Sequence, residues 1–238
     1  MLDEDISPPP ERIHPALWRA SQLSCAPGCY ADTGFAAVSA ELPGGGWPLG
    51  NLIDILVRQP GVGELQLLRP ALLRLGRRPI MLVQPPHLPQ TAAWASWGGP
   101  PSCLLWARPQ RPADALWTAE QVLRSSAFGA LLLWQDAVRS PTLRRLQLAA
   151  QESDTLFVLV RPQTAASQAS PAPLRLLLQP ARPGLNVSIL KRRGGTHEGP
   201  IELRLYPDTR FPEFEHAIMD RRASVAREPG HAVPELAH

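Results

Sequence analysis

The sequence predicts an α/β fold in which a mainly parallel sheet carries helices on both faces. Short, continuously apolar runs of strand length alternate with segments of helical period, and this alternation is typical of parallel strands joined by helical crossovers. A second observation is that the last apolar runs follow one another without helices between them, which predicts an antiparallel extension of the sheet. The predicted parallel strands are Leu52–Val57, Pro79–Val83, Cys103–Trp106, Gly129–Trp134 and Thr155–Val160, and the extension comprises Leu174–Leu178, Leu185–Lys191 and Ile201–Tyr206.

The helices follow from apolar residues repeating every three to four positions. A short amphipathic helix is expected from Pro15 to Leu23, and a longer one places Leu65, Leu68, Leu72 and Leu75 on one face. Because proline removes a backbone donor, we expect Pro70 to kink or shorten that second helix. Further helices are predicted for 88–97, for 114–127 and from Ser140-Pro141 onward, where serine and proline are typical of a helix start.

Length and composition favour one domain with tails. At 238 residues the chain can bury one substantial core. We predict a disordered segment at 1–12, an amino-terminal helix and lead-in at 13–50, a core at 51–210 and a flexible tail at 211–238. The acidic, proline-rich start is unlike a signal peptide, and no apolar run approaches the roughly 18 residues that span a bilayer. We therefore expect a cytoplasmic protein.

Charge and cysteine content give no strong indication of nucleic-acid binding, a disulfide framework or a metal site. The formal net charge is +3, and arginine supplies 23 of the 24 basic residues, which supports at most weak attraction to nucleic acid. Cys25, Cys29 and Cys103 are too few for a disulfide framework in a chain of this length. The Cys25/Cys29 spacing lacks a second ligand pair, so we expect ordinary thiols and no metal site.

A strand, a glycine-rich turn and a helix form the frame of a phosphate-binding loop, but its chemistry is missing. In G-x-x-x-x-G-K-[ST], backbone N–H groups wrap the phosphates, a lysine reaches the outer ones, and a hydroxyl holds magnesium. Here Arg58 opens the window, Gly61 and Gly63 supply the turn, Glu64 stands at the lysine position and Leu65 at the hydroxyl position. An anion at that place opposes a polyphosphate, and the chain's only lysine, Lys191, is far away in sequence.

The second nucleotide-site signal is also weak. A hydrolytic core of this kind ends its central strand on an acidic residue that holds magnesium. Here Trp134 is followed by Gln135 and only then by Asp136. Asp136 is therefore either a displaced acid or an ordinary residue at a strand end, and Glu64 is alternatively a first-turn acid stabilised by the helix dipole.

Three further segments lie outside the phosphate-loop motif and have predictions of their own. Gly44–Gly46 with Trp47 is either a surface connection or a flexible segment held by the aromatic side chain. The polar stretch Gln163–Pro173 suits a mobile loop. Phe211, Phe214 and Ile218 have the spacing of a single helical anchor for a partner.

Four stretches together carry a resemblance to the ImuA family, RecA/SulA-like proteins associated with translesion DNA synthesis. They are HPALWRAS at His14–Ser21, TGFAAVSAELPGGGWPLG at Thr33–Gly50, PGVGELQLLRPAL at Pro60–Leu72 and ILKRRGG at Ile189–Gly195. With the order of the core elements, the resemblance covers about residues 14–206.

The resemblance implies a RecA-like core that serves the SOS response to DNA damage as a non-catalytic accessory protein of the mutasome. Implied partners are an ImuB-like protein and an error-prone C-family DNA polymerase, and some relatives also contact RecA. The degenerate loop agrees with an adaptor that needs no cofactor and performs no catalysis. In RecA-like proteins the position of Arg161 couples nucleotide to DNA, and the strand end at Lys191, Arg192 and Arg193 faces a neighbouring subunit.

Two alternatives remain open from the sequence. One is a SulA-like cell-division inhibitor, against which the extended amino-terminal segment and the KRRGG sequence argue. The other is a residual RecA-like DNA-binding module, in which Lys191, Arg192 and Arg193 contact phosphates without sequence preference. The sequence leaves the oligomeric state and the partner surface undetermined.

Overall fold

Helices and strands alternate through most of the computed structural model, which describes residues 29–182, 184–194 and 199–205. The strands and helices, in chain order, are β1 (Tyr30–Asp32), α1 (Ala36–Glu41), β2 (Gly46–Pro48), β3 (Leu52–Val57), α2 (Glu64–Leu75), β4 (Ile80–Val83), α3 (Thr91–Ser96), β5 (Leu104–Ala107), α4 (Pro112–Ser125), β6 (Ala130–Trp134), α5 (Ser140–Gln151), β7 (Leu156–Pro162), β8 (Leu174–Ala181), β9 (Gly184–Lys191) and β10 (Ile201–Leu203). Short 3₁₀ turns lie at Pro43–Gly45, Pro101–Cys103 and Gln163–Ser167.

An eight-stranded sheet has the order β10-β9-β8-β3-β7-β6-β4-β5. All pairs from β8 to β5 are parallel, and the pairs β8–β9 and β9–β10 are antiparallel. The predicted class is therefore confirmed as a mainly parallel α/β sheet with an antiparallel carboxy-terminal extension. Strand β8 belongs to both parts, because it runs parallel to β3 and antiparallel to β9.

Two apolar clusters cover the two faces of the sheet. On one face, α2 and α3 pack with alternate residues of the strands, including Ile53, Ile55 and Leu132. On the other face, α4 and α5 pack against the intervening residues, including Leu131 and Phe157. Since both faces are covered, β3 and β6 are buried along their whole length.

The lead-in to the core forms a separate two-stranded sheet in which β1 pairs antiparallel with β2. Trp47 lies in β2 and is fully buried, so the surface-connection interpretation of this segment is wrong for its tryptophan. A methyl group on Gly46 would lie 2.4 Å from the carbonyl oxygen of Ala31, which explains why glycine stands beside Trp47.

Two predicted helices differ in detail. Helix α2 continues through Pro70 to Leu75, so the expected shortening is wrong. A methyl group on Gly34 would lie 2.3 Å from the Cβ of Pro70, so the backbone of the lead-in approaches the proline ring closely. Helix α3 covers only Thr91–Ser96, because Pro89 disfavours a helical backbone at the residue before it, where the predicted helix begins.

Several expectations lie outside the described residues. They are the disordered segment 1–12, the helix at 15–23 and the tail at 211–238. The domain boundaries stay predictions. Among the residues that the structure describes, no helix has the length and apolar character needed to cross a membrane.

Candidate functional site

The turn between β3 and α2 has the backbone shape of an anion-binding loop. Gly61 and Gly63 have φ angles of 89° and 123°, a region that side-chain-bearing residues rarely adopt. Helix α2 begins directly after Gly63, so the turn also receives the positive end of the helix dipole. These features create a concave site with backbone N–H groups and favour an anion.

The anion in this turn is the chain's own Glu64 carboxylate. The N–H of Gly61 donates to Oε1 at 2.8 Å, and the N–H of Gly63 donates to Oε2 at 3.2 Å. Glu64 is only 2% exposed, so its charge is held against these donors away from bulk water. The two N–H groups that a phosphate would use therefore already have an acceptor.

The other two members of the predicted degenerate loop lie on either side of the turn. Leu65 is half-buried and packs against the core cluster beneath α2, which leaves no hydroxyl to hold magnesium there. Arg58 is exposed at the end of β3. The structure thus brings Gly61, Gly63 and Glu64 together and places Arg58 on a neighbouring cleft.

That cleft lies over the carboxyl ends of β3, β4, β6 and β7 and has a volume of ≈ 480 Å³. In open α/β sheets this edge is where ligands usually bind. Its polar lining includes Arg58, Gln84, Gln135 and Asp136. Asp136 is exposed, and among the described residues its carboxylate has no hydrogen-bond partner, so its position fits the strand-end interpretation.

Directly beneath the cleft, one carboxylate and two guanidinium groups form a buried ion cluster. Asp54 lies in the middle of β3 and is fully buried. Arg161 of β7 donates to both carboxylate oxygens, with its Nε 3.0 Å from Oδ1 and its second contact at 2.5 Å. Arg175 of β8 donates from Nε to Oδ2 at 3.0 Å. Since β7 and β8 both pair with β3, the cluster ties three adjacent strands together.

Arg175 also fixes the segment that follows β7. Its guanidinium donates to the carbonyls of Ala165 at 2.8 Å, Ala166 at 3.2 Å and Gln168 at 3.1 Å. Ala165 is buried within the 3₁₀ turn. The prediction of a mobile loop is therefore wrong for residues 163–168, because a buried cation orders their carbonyl groups.

The motifs and the resemblance do not predict this buried cluster. The resemblance places Arg161 at the position that couples nucleotide to DNA, but its side chain is fully buried and bound to Asp54. A signal was available: Asp54 interrupts the apolar run LIDILV, and Arg175 interrupts LRLLL. Because buried charges are almost always paired, an acid and two bases in buried strands predict one another.

Two of the three basic residues at the end of β9 are bound to other parts of the chain. Lys191 donates from Nζ to the carbonyl of Ser170 at 3.0 Å. Arg192 donates to the backbone carbonyl of Glu41 and, at 3.0 Å, to its carboxylate. Arg193 is exposed. The three adjacent cations therefore differ in role, and Arg192 links the end of β9 to the last residue of α1.

The remaining candidate residues are those of the tail anchor and the cysteines. Phe211, Phe214 and Ile218 lie outside the described residues, so the tail anchor stays a prediction. Cys29 is exposed and Cys103 is half-buried, and both are free thiols. Within 29–182, 184–194 and 199–205, no group of three His, Cys, Asp or Glu side chains could hold a metal ion.

No protein-family model matches the chain, and no curated protein matches it either. Among solved structures, the chain is similar to SulA from Pseudomonas aeruginosa, with 22% sequence identity and a TM-score of 0.39. The match covers 46% of this chain and 97% of the SulA chain. A likeness at this level assigns no function.

Proposed function

We propose that this protein is a non-catalytic scaffold of the translesion DNA synthesis machinery, acting with an ImuB-like protein and an error-prone C-family polymerase. One observation carries the non-catalytic part: the Glu64 carboxylate accepts the N–H groups of Gly61 and Gly63. The assignment to translesion synthesis rests on the sequence resemblance.

The charge at the turn argues against nucleotide chemistry. A triphosphate brought to this loop would displace Glu64 from its donors and meet a second anion a few ångströms away. At 4 Å, two like charges near a protein surface repel by about 4 kcal/mol. No lysine or hydroxyl of the loop compensates this repulsion, because Glu64 and Leu65 occupy both positions.

Three of the stretches that carry the resemblance include described residues, and they contact one another. Gly34 packs directly on Pro70, and Arg192 binds Glu41. The lead-in, helix α2 and the end of β9 thus form one continuous region. A family likeness concentrated in such a region fits a protein whose function is to hold partners.

Calorimetric titration with ATP tests the non-catalytic part. We expect no measurable binding by the full chain. The double variant Glu64→Lys/Leu65→Ser restores the missing cation and hydroxyl, and it serves as the positive comparison. ATP turnover by the unmodified protein that the Gly63→Ala variant abolishes would contradict the proposal.

Co-purification with an ImuB-like protein from the same genome tests the scaffold part. We expect the full chain to retain this partner and compare it with a chain ending at Tyr206. If neither the full chain nor the chain ending at Tyr206 binds the ImuB-like protein, the mutasome role is contradicted.

Filamentation of cells on overexpression, with loss of polymerisation by the tubulin-like division protein in vitro, would instead identify a SulA-like inhibitor. Fluorescence anisotropy with single-stranded DNA at two salt concentrations tests the DNA-binding alternative, and we expect at most weak, salt-sensitive binding.

A further inference from the structure

A small apolar pocket lies between the lead-in segment and the end of β9. Its walls include Leu42, Pro43, Pro48, Pro173 and Leu174. Its volume is ≈ 70 Å³, whereas sites for small molecules and cofactors usually measure about 300–1,000 Å³. The pocket therefore has room for a single apolar side chain and not for a nucleotide.

The walls are fixed before anything binds. Three of them are proline rings, whose φ angle is locked. The β1–β2 pairing holds Pro48 opposite Tyr30, and both residues line the pocket. Arg192, also in the lining, is anchored to the carbonyl and carboxylate of Glu41. A preorganised pocket loses little conformational entropy when a side chain enters it.

The charge at this pocket is positive. Arg193 lines it and is exposed, and among the described residues its guanidinium has no hydrogen-bond or ion-pair partner. Arg192 is already paired with Glu41. Of the described residues that line the pocket, none is an aspartate or glutamate. An apolar pocket with one unpaired guanidinium complements an apolar side chain that has a carboxylate beside it.

We propose that this pocket is the docking site for a peptide segment of a partner protein, in which one apolar side chain fills the cavity and an adjacent Asp or Glu pairs with Arg193. The proposal deepens the scaffold function and rests on it. The small apolar pocket favours a peptide over nucleic acid, because contacts to phosphate groups require cations and do not require an apolar pocket.

Selection from a library of random 12-residue peptides displayed on phage, with the full chain as bait, tests the proposal. We expect enriched peptides to carry Leu, Ile, Met or Phe next to Asp or Glu. The Arg193→Glu variant should instead enrich peptides with Lys or Arg beside the apolar residue. Arg144→Glu is the matched control, since Arg144 is exposed on α5 and does not line the pocket, and it should keep the original pattern.

Thiol capping provides a second measurement. Cys29 lines the pocket and is an exposed free thiol. In a Cys25→Ser/Cys103→Ser background, N-ethylmaleimide on Cys29 should weaken binding of the enriched peptide by about tenfold or more, because the adduct adds bulk to a residue that lines the pocket. Capping Cys103 in a Cys25→Ser/Cys29→Ser background should leave the affinity unchanged. Circular dichroism confirms that each protein is folded.

Three results would overturn the proposal. They are an absence of any enriched pattern, identical peptides for the parent chain and Arg193→Glu, and unchanged peptide affinity after capping of Cys29. A 12-nucleotide single strand that binds in a manner dependent on Arg193, while peptides do not bind, would identify the surface as a nucleic-acid contact and would also overturn it.

The selection needs no translesion partner, so its failure is distinguishable from failure of the proposed function. If the ImuB-like protein does not bind but the peptide pattern appears, the pocket stands and the mutasome role falls. If that protein binds the parent chain, Arg193→Glu and the Cys29-capped chain equally, the scaffold role stands and this docking site is wrong.

Discussion

Glu64 and Asp54 are both buried carboxylates, yet they are satisfied in opposite ways. Glu64 accepts N–H groups of Gly61 and Gly63, which lie within three residues of it in the sequence. Asp54 accepts guanidinium groups from Arg161 and Arg175, which lie 107 and 121 residues away. The first carboxylate completes a local turn, whereas the second holds together strands that are distant in sequence.

This difference determines what the loss of each carboxylate leaves behind. Without Glu64, two neutral N–H groups remain, and Gly61 is exposed enough for water to reach it. Without Asp54, two cations remain, and both arginines are more than nine-tenths buried. An uncompensated buried charge costs more than an unpaired amide, so we expect Asp54 to contribute more to stability.

Asp54→Ala should have the largest effect, because it leaves Arg161 and Arg175 buried without their anion. We expect a loss of about 3–5 kcal/mol in the free energy of unfolding. Urea denaturation followed by tryptophan fluorescence measures this loss. Asp136→Ala is the matched control, since its carboxylate is exposed and should change stability by less than about 0.5 kcal/mol. Equal effects of the two substitutions would contradict the comparison.

Arg175→Met should cost less, about 2 kcal/mol, because Asp54 keeps Arg161 as a partner while three carbonyls lose a charged donor. The effect should be concentrated near residues 163–168, where hydrogen–deuterium exchange should accelerate. Arg182→Met makes the same substitution at an exposed position. Exchange that is unchanged at 163–168 would show that Arg175 does not order this segment.

Glu64→Ala should destabilise the protein by about 1–2 kcal/mol, since it removes a cap from the start of α2 and leaves two N–H groups without their acceptor. The emptied turn should then accept an external anion. We expect 100 mM phosphate to raise the melting temperature of Glu64→Ala by more than that of the parent chain, as measured by calorimetry. An equal rise in both proteins would show that the turn does not bind anions.

Asp32 is an exposed carboxylate, so its substitution should have a smaller effect on stability than the substitution of Asp54 or Glu64. The N–H of Gly34 and then the Arg74 guanidinium hold the pKa of Asp32 below its ordinary value of 3.8. A lowered folded-state pKa contributes stability above the unfolded pKa, and this contribution is lost as the pH falls through the folded pKa. The small advantage of the parent chain over Asp32→Asn in urea denaturation should therefore be present at pH 7, should begin to decline as the pH falls below about 4, and should disappear once the carboxyl is protonated in the folded state as well. A difference that stays constant down to pH 2 would contradict this.

The parallel core was predictable because its strands are buried on both faces and appear as unbroken apolar runs. Strands β3, β6 and β7 lie within a residue or two of the predicted segments. The 3₁₀ turn at Gln163–Ser167 was not predictable in this way, because the polar stretch 163–173 has no apolar period. Residues 165–168 are held by Arg175, and its acceptors there are backbone carbonyls, which no side-chain pattern identifies.

In the candidate site, too, some features follow from the sequence and others require contacts between residues far apart in the chain. The glycine turn and the substitution at Glu64 follow from spacing alone, because a phosphate loop is a contiguous motif. The pairing of Arg192 with Glu41 and the cavity beside Arg193 require residues that lie 151 positions apart to meet. Spacing says nothing about such contacts.

By itself, the sequence determined the class of the sheet, the course of the glycine turn and the sign of the charge within it. Each of these depends on neighbours along the chain. Only the tertiary structure decided how the buried charges pair with one another, that Arg192 binds Glu41 while Arg193 stays exposed, and that Trp47 belongs to the interior. The physical reason is that burial and ion pairing depend on distances through space, and folding creates those distances between residues that the sequence keeps far apart.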